Sequence, residues 1–418
     1  MARMLTKQEI YERMRDWRNL KKLHHAARER VAMRAYHRTI SAPQEITREE
    51  THTIDACPDC HTPLTKIKTV VFYEEDIRLP EKPDSFKTVI KHSVEKGYRT
   101  TCAKWRPALP LPPTPVVISS RVRAFVSYAS IILRLSYDQI QHILSDLYAF
   151  SISQGEITNI LEKEATKPIP AFEELKTTVR VQAGVHYDQT GWKVQREDQG
   201  NHAWVMTGTK TPDAVFLMGR SRGKGNAEEL MGENLSHIGI GDDYGAYRNL
   251  FACHQLCWAH PPRKLRDLTQ SDTLDQKVRE QCQETYAQFS ALYRNLRVIL
   301  EMPFDLAQRI KVRDELIGRF QTIAIPHLSD PQKLKSIKES LSKNIASYFT
   351  RLTHEGIPAD NNKAERALRH LVLKRKISFG SRTQKGADPL SVLCSVLLSL
   401  WWRKPQNFFG EYLRLRGV

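Results

Sequence analysis

The sequence predicts an α/β protein in which one mixed sheet is followed by a long helical stretch, with acids delivered where strands end. Three observations predict this. After Val179 the apolar period switches to two and gives five short strand-like runs, with one helix-like stretch between the third and fourth. Beyond residue 260 the spacing turns helical with no strand signal, as along Ala287, Leu292, Leu296 and Leu300. Asp188 and Asp242 each close a strand-like run, and Glu365 follows far downstream in Asp360-Asn361-Asn362-Lys363-Ala364-Glu365-Arg366.

From the N-terminus, residues 1–50 hold a basic amphipathic helix. Ile10, Met14, Trp17, Leu20 and Leu23 recur at helical spacing, and residues 11–40 carry nine Arg/Lys against three Asp/Glu. Residues 51–106 form a small Cys-containing unit, and Pro107, Pro110, Pro112, Pro113 and Pro115 stiffen a linker over 107–118. Residues 119–178 read as helices. Two runs there, Ser136 to Leu144 and Ser153 to Leu161, both open on a serine N-cap, a pattern shared by a helix-turn-helix that reads DNA and by a plain helical hairpin. Residues 179–260 supply the strands Val181–Asp188, His202–Thr209, Ala214–Gly219, Ser236–Gly241 and Cys253–Trp258, with the helix Asn226–Glu233 among them. Three strands, a helix and two more strands is the order of a ribonuclease H-like core. Residues 261–355 then form a helical insertion, and 356–418 a helix bearing Glu365 with basic helices behind it.

Composition narrows the partners. Against 47 Asp+Glu stand 64 Lys+Arg, a formal charge of +17, which suits a chain that meets a polyanion. No apolar run is long enough for a transmembrane helix, and Met1 to Thr6 lead into charged sequence, so no membrane role and a cytoplasmic, nucleoid-associated location are expected. The 7 cysteines are odd in number and unevenly spread, which argues against a disulfide framework and for a reducing compartment.

Asp188 at a strand end can face a cleft where a mid-strand acid would be costly to bury. Asp242 and Asp243 compete for the second position; the strand period puts Asp242 on the face of Ile238 and Ile240. Two carboxylates from neighbouring strands and a third from a helix can hold a pair of Mg2+ or Mn2+ ions for phosphoryl transfer on DNA. Each acid alone has a blander reading, as a turn cap or, for Glu365, an i, i+4 partner of Arg369. Cys257 and His260 are zinc-ligand types, but two ligands do not make a site. His260 is read as a supporting or phosphate-facing group, with a buried structural histidine as the rival, and Arg263, Lys264 and Arg266 form a basic cluster behind it. Residues 361–418 carry twelve Arg/Lys and three Asp/Glu, and Lys374, Arg375 and Lys376 are candidates for phosphate contact.

Taken in order, Asp188-Gln189-Thr190, Asp242-Asp243-Tyr244, Cys257-Trp258-Ala259-His260 and Asp360-Asn361-Asn362-Lys363-Ala364-Glu365-Arg366 resemble the transposases of the insertion sequence 66 family. The resemblance covers roughly residues 55 to 415 and is most specific in its last motif. It implies a DDE transposase with Asp188, Asp242 and Glu365 as triad, in the register that favours Asp242 over Asp243. Asn361, Asn362, Arg366 and Arg369 fall inside the last motif and are expected to support the site or touch DNA. Gln189 stands where the family has Glu, and Asp243 where it has Gly. The resemblance also implies a zinc unit of two Cys-x-x-Cys pairs. Here Cys57 and Cys60 form the first, while Cys102 begins a second that lacks its last thiolate, so His61 or His92 would complete a site, or zinc is lost.

The implied function is metal-dependent cleavage and joining of double-stranded DNA at the ends of a mobile element. A homo-oligomer, at least a dimer, would assemble on two ends and a target, with element-encoded accessory proteins as further candidate partners. The alternative is a decayed or domesticated DNA-binding protein that recognises ends without cutting.

Overall fold

A computed structural model describes residues 87–90, 96–99, 104–107, 117–196, 200–232 and 235–416. The helix expected over 1–50 and the candidate zinc ligands Cys57, Cys60 and Cys102 lie outside the described residues, as do His61 and His92. Strands β1 (Lys96–Arg99) and β2 (Lys104–Pro107) pair antiparallel, Tyr98 opposite Trp105. Four helices follow: α1 (Ser120–Ile131), α2 (Tyr137–Tyr148), α3 (Gln154–Thr166) and α4 (Ile169–Arg180). The serine caps form as the sequence implies. Ser136 and Gln139 make a reciprocal capping box on α2, and Ser153 accepts from Glu156 N on α3.

The sheet has the order β5-β4-β3-β6-β7, with β3 (Gly184–Gly191), β4 (His202–Gly208), β5 (Ala214–Gly219), β6 (Leu235–Gly241) and β7 (Phe251–Leu256). β3 and β5 run antiparallel to β4, while β6 and β7 run parallel to β3. This is the ribonuclease H-like order. Helix α5 (Lys224–Met231) makes the crossover between β5 and β6. One expectation is corrected: β3 does not stop at Asp188 but continues to Gly191, because its ladder with β4 persists to Gly191↔His202. Its parallel ladder with β6 ends earlier, at His186↔Ile240, so Asp188 lies beside an open edge.

After β7 come α6 (His260–Thr269), α7 (Gln276–Ile299), α8 (Leu306–Ala324), α9 (Gln332–Ser342) and the short α10 (Thr350–Thr353). These helices share an apolar cluster of their own around fully buried Trp258, which stacks on Tyr293 at 5.5 Å and meets Phe320 and Phe349 edge-on. The chain then enters α11 (Asn362–Ser378), α12 (Gln384–Ala387), α13 (Pro389–Trp402) and α14 (Phe408–Leu415).

Alternation sorts the two sheet faces. Ala203 and Val205 of β4 join the cluster formed with α1, α2, α3, α11 and α13, whereas Trp204 and Met206 join the one formed with α4 and α5. The two helices of the proposed hairpin thus share a core with the sheet, through Ile140, Leu144, Ile157, Ile160 and Leu161, and the polar start of α3 at Gln154 and Asn159 stays exposed. Both sheet edges are covered. On α13, Ser391, Ser395 and Ser399 accept from the amides of Met218, Phe216 and Ala214, every second residue of edge strand β5. On the far side, Gln255 of β7 donates to Tyr348 O and accepts from Arg351 N.

Candidate active site

Asp188 and Asp242 come together through strand register. Gly184 pairs with Ile238 and His186 with Ile240, so continuing the same parallel register sets Asp188 beside Asp242, two residues beyond the last ladder pair on each strand. Paired residues of parallel strands point to one face. That face carries His186, Ile238 and Ile240 and is the one that α11 covers, since His186 Nδ1 bonds Asn361 Oδ1 and Ile238 and Ile240 pack on Ile357. Asp243 points the other way. Asn344 Nδ2 donates to its Oδ1 at 2.9 Å, and Arg248 pairs with its Oδ2 at 3.3 Å. A side chain at Gly241 would collide with the Tyr187 ring 2.0 Å away, so glycine immediately before Asp242 lets Tyr187 lie under the strand against Tyr247 and Phe251. Gln189 also faces that side and accepts from Tyr247 Oη, away from the two aspartates.

Glu365 sits in the first turn of α11, and Asn361 fixes where that turn begins. The buried Asn361 donates from Nδ2 to Tyr187 O at 2.8 Å, bonds His186 through Oδ1 at 3.1 Å, and donates its backbone N–H to Cys257 Sγ at 3.1 Å. One residue therefore ties the strand bearing Asp188, the end of β7 and the start of the glutamate helix. Trp258 N donates to Ala359 O at 3.0 Å and reinforces the joint, while Asn362 N caps back on Asp360 Oδ1. Glu365 does not pair with Arg369. Its Oε2 meets Arg263 at 3.3 Å, and its Oε1 faces His260 Nε2 at 3.7 Å and is buried without a hydrogen-bond partner.

The electrostatics report a crowded acid cluster. Burial, then the negative charges of Asp242 and Glu365, push Asp188 up to about 7 against a backbone bond from Gln189 that works the other way. Burial also raises Asp242, opposed by His260, Arg222 and Lys264. His260 is lowered by burial and drawn back up by the charges of Glu365 and Asp242. Burial pushes the Cys257 thiol up to about 11. Arg222, stacked 3.9 Å over the Tyr244 ring, was not legible beforehand because nothing in a loop arginine's sequence context marks its target.

Of the basic candidates, Arg263, Lys264, Arg366 and Arg369 are exposed near the Glu365 end of α11, and Lys376 is exposed in its last turn. Lys374 corrects the expectation. It is buried, its Nζ donates to Ser130 O at 2.7 Å and to Ser130 Oγ, and burial pulls it down to about 8, so it ties α11 to α1 and does not reach phosphate. Arg375 is partly engaged as well, donating to Thr190 Oγ1 at 3.3 Å and to Gly191 O.

Two buried aspartates whose pKa values are raised and a glutamate with an unpartnered buried oxygen are a donor set that fits hard divalent ions. The frame is thus a ribonuclease H-like core with three acids gathered at one end of its sheet. Residues 115–389 match the family model described as Transposase IS66 family, and the chain belongs to that family. A comparison with curated proteins found no match. Among the described residues no helix is long and apolar enough to cross a membrane.

Proposed function

We propose that this chain cleaves and joins DNA at the ends of a mobile element, with Asp188, Asp242 and Glu365 as the catalytic acids. The observation that carries the reading is the β3–β6 register, which, extended two residues past its last pair, sets Asp188 beside Asp242, with the charges of Asp242 and Glu365 both acting on Asp188. Mg2+ or Mn2+ held by these oxygens would supply a polarised nucleophile, water or a 3′-hydroxyl, and charge stabilisation at the leaving oxygen. The chain's own residues do the rest. Asn361 holds Glu365 at the strand ends, Arg263 fixes the orientation of its carboxylate, and His260, 3.7 Å from Glu365, would contact an incoming phosphate. Exposed Arg366, Arg369 and Lys376 would run the duplex along α11 and add a term to affinity that ignores sequence.

A zinc unit around Cys57, Cys60 and Cys102, assembly of two or more copies on paired ends, and helix α3 as a contact for the ends belong to the same proposal. The test uses labelled element-end duplexes with Mg2+ and a supercoiled target. Joined product supports the proposal. Cutting without joining would indicate a nuclease, and a mobility shift with neither reaction would indicate a binding protein only.

A further inference from the structure

We propose that Cys257, His260 and Glu365 form a binding site for one borderline-soft divalent ion of the Zn2+ class, distinct from a site centred on Asp188 and Asp242. One ligand atom from each lies within 4.8 Å of the other two. Bonds of about 2.0 Å to nitrogen or oxygen and 2.3 Å to sulfur would hold ligand atoms roughly 3 to 4 Å apart, so only a small contraction is needed. His260 Nε2 and Glu365 Oε1 are already 3.7 Å apart.

The details of each donor agree. Arg263 occupies Glu365 Oε2, which leaves the other oxygen, buried and unpartnered, on the side of His260. At Cys257 the backbone N–H of Asn361 donates to Sγ at 3.1 Å. A thiol is a weak acceptor, and an aimed amide suits the thiolate that a metal bond creates. As that bond forms, the Cys257 proton leaves to solvent. Sulfur and imidazole together select Zn2+ or Co2+ over Mg2+, which prefers oxygen.

The site is also assembled before any ion arrives. Cys257 and His260 lie on the turn from β7 into α6, Glu365 lies on the first turn of α11, and the bonds Trp258 N to Ala359 O and Asn361 N to Cys257 Sγ join the two segments. Three protein ligands with Glu365 partly open to solvent leave a fourth position for water. Because the ion would take Glu365 Oε1, its binding and the use of that carboxylate by the aspartate pair exclude each other. A soft metal would then act as a brake on the proposed reaction.

The donor atoms carry this inference, which stands whether or not the chain proves to cut DNA. The test titrates chelator-treated full-length protein with Co2+ and follows sulfur-to-cobalt charge-transfer absorption. Subtracting the Cys257→Ser spectrum removes any contribution from the other cysteines. One equivalent of Co2+ giving a band present in the wild type, absent in Cys257→Ser and retained in Asp188→Asn is expected. His260→Ala, at a partly exposed position that leaves the core intact, should weaken that cobalt at least about tenfold. Identical spectra for wild type and Cys257→Ser, or unchanged affinity in His260→Ala, would overturn the assignment.

Discussion

Asp188→Asn should stabilise the metal-free protein, and the gain should depend on pH. The move of Asp188 from 3.8 to about 7 corresponds to roughly 4 kcal/mol of penalty once the carboxyl is ionised in the folded state, an upper bound. Because the folded pKa is raised, the native state binds the proton more tightly. The associated stability is fully present below pH 4 and is lost as pH rises through about 7. Asparagine keeps the oxygen that accepts from Gln189 N at 2.8 Å and removes the charge. With chelator present, the mutant should therefore match the wild type near pH 5 more closely than at pH 8, where it should be more stable by about 1 to 4 kcal/mol. Urea unfolding followed by fluorescence of the buried Trp192, Trp204 and Trp258 reads this directly. Adding Mg2+ should shrink or reverse the gap, since only the wild type retains the full acid set. A mutant less stable than wild type at pH 8 in chelator, or a gap independent of pH, would refute the electrostatic reasoning.

Asn361→Ala strips two side-chain bonds and leaves Tyr187 O and His186 Nδ1 buried without them, so it should cost about 3 kcal/mol in urea unfolding and abolish cleavage while DNA still binds. Normal cleavage by that variant would show that the asparagine does not position Glu365. Replacing Arg366, Arg369 and Lys376 together by Ala should flatten the slope of log affinity against log salt by up to about 3, whereas Lys374→Met should leave the slope unchanged and lower stability. A slope altered by Lys374→Met alone would place DNA against a residue that the fold buries.

The strands were legible because β4 and β5 are buried on both faces and β6 alternates isoleucine with glycine, signals that need no partner to be read. The end of β3 was not, since only its pairing with β4 carries it past Asp188. Choosing Asp242 over Asp243 rested on strand period and resemblance. The register and the capture of Asp243 by Asn344 and Arg248 give that preference a physical basis. Lys374 was misassigned by counting charge. Ala364, Ala367, Leu368 and Leu371 mark the buried stripe of α11, and Lys374 continues it at helical spacing, so the signal was present and outweighed. The meeting of Cys257 and His260 with Glu365 had no sequence signature, because the third ligand arrives from a helix beyond the whole insertion.

The most direct test of the central claim compares Mg2+-dependent end cleavage by Asp188→Asn, Asp242→Asn, Glu365→Gln and Asp243→Asn, with binding to the same duplex measured in parallel. The first three should bind DNA at least as well as the wild type, since each loses a negative charge near phosphate, and should cut nothing detectable. Asp243→Asn should still cut. Cleavage by any of the first three at the wild-type rate, or loss of cleavage in Asp243→Asn alone, would contradict it.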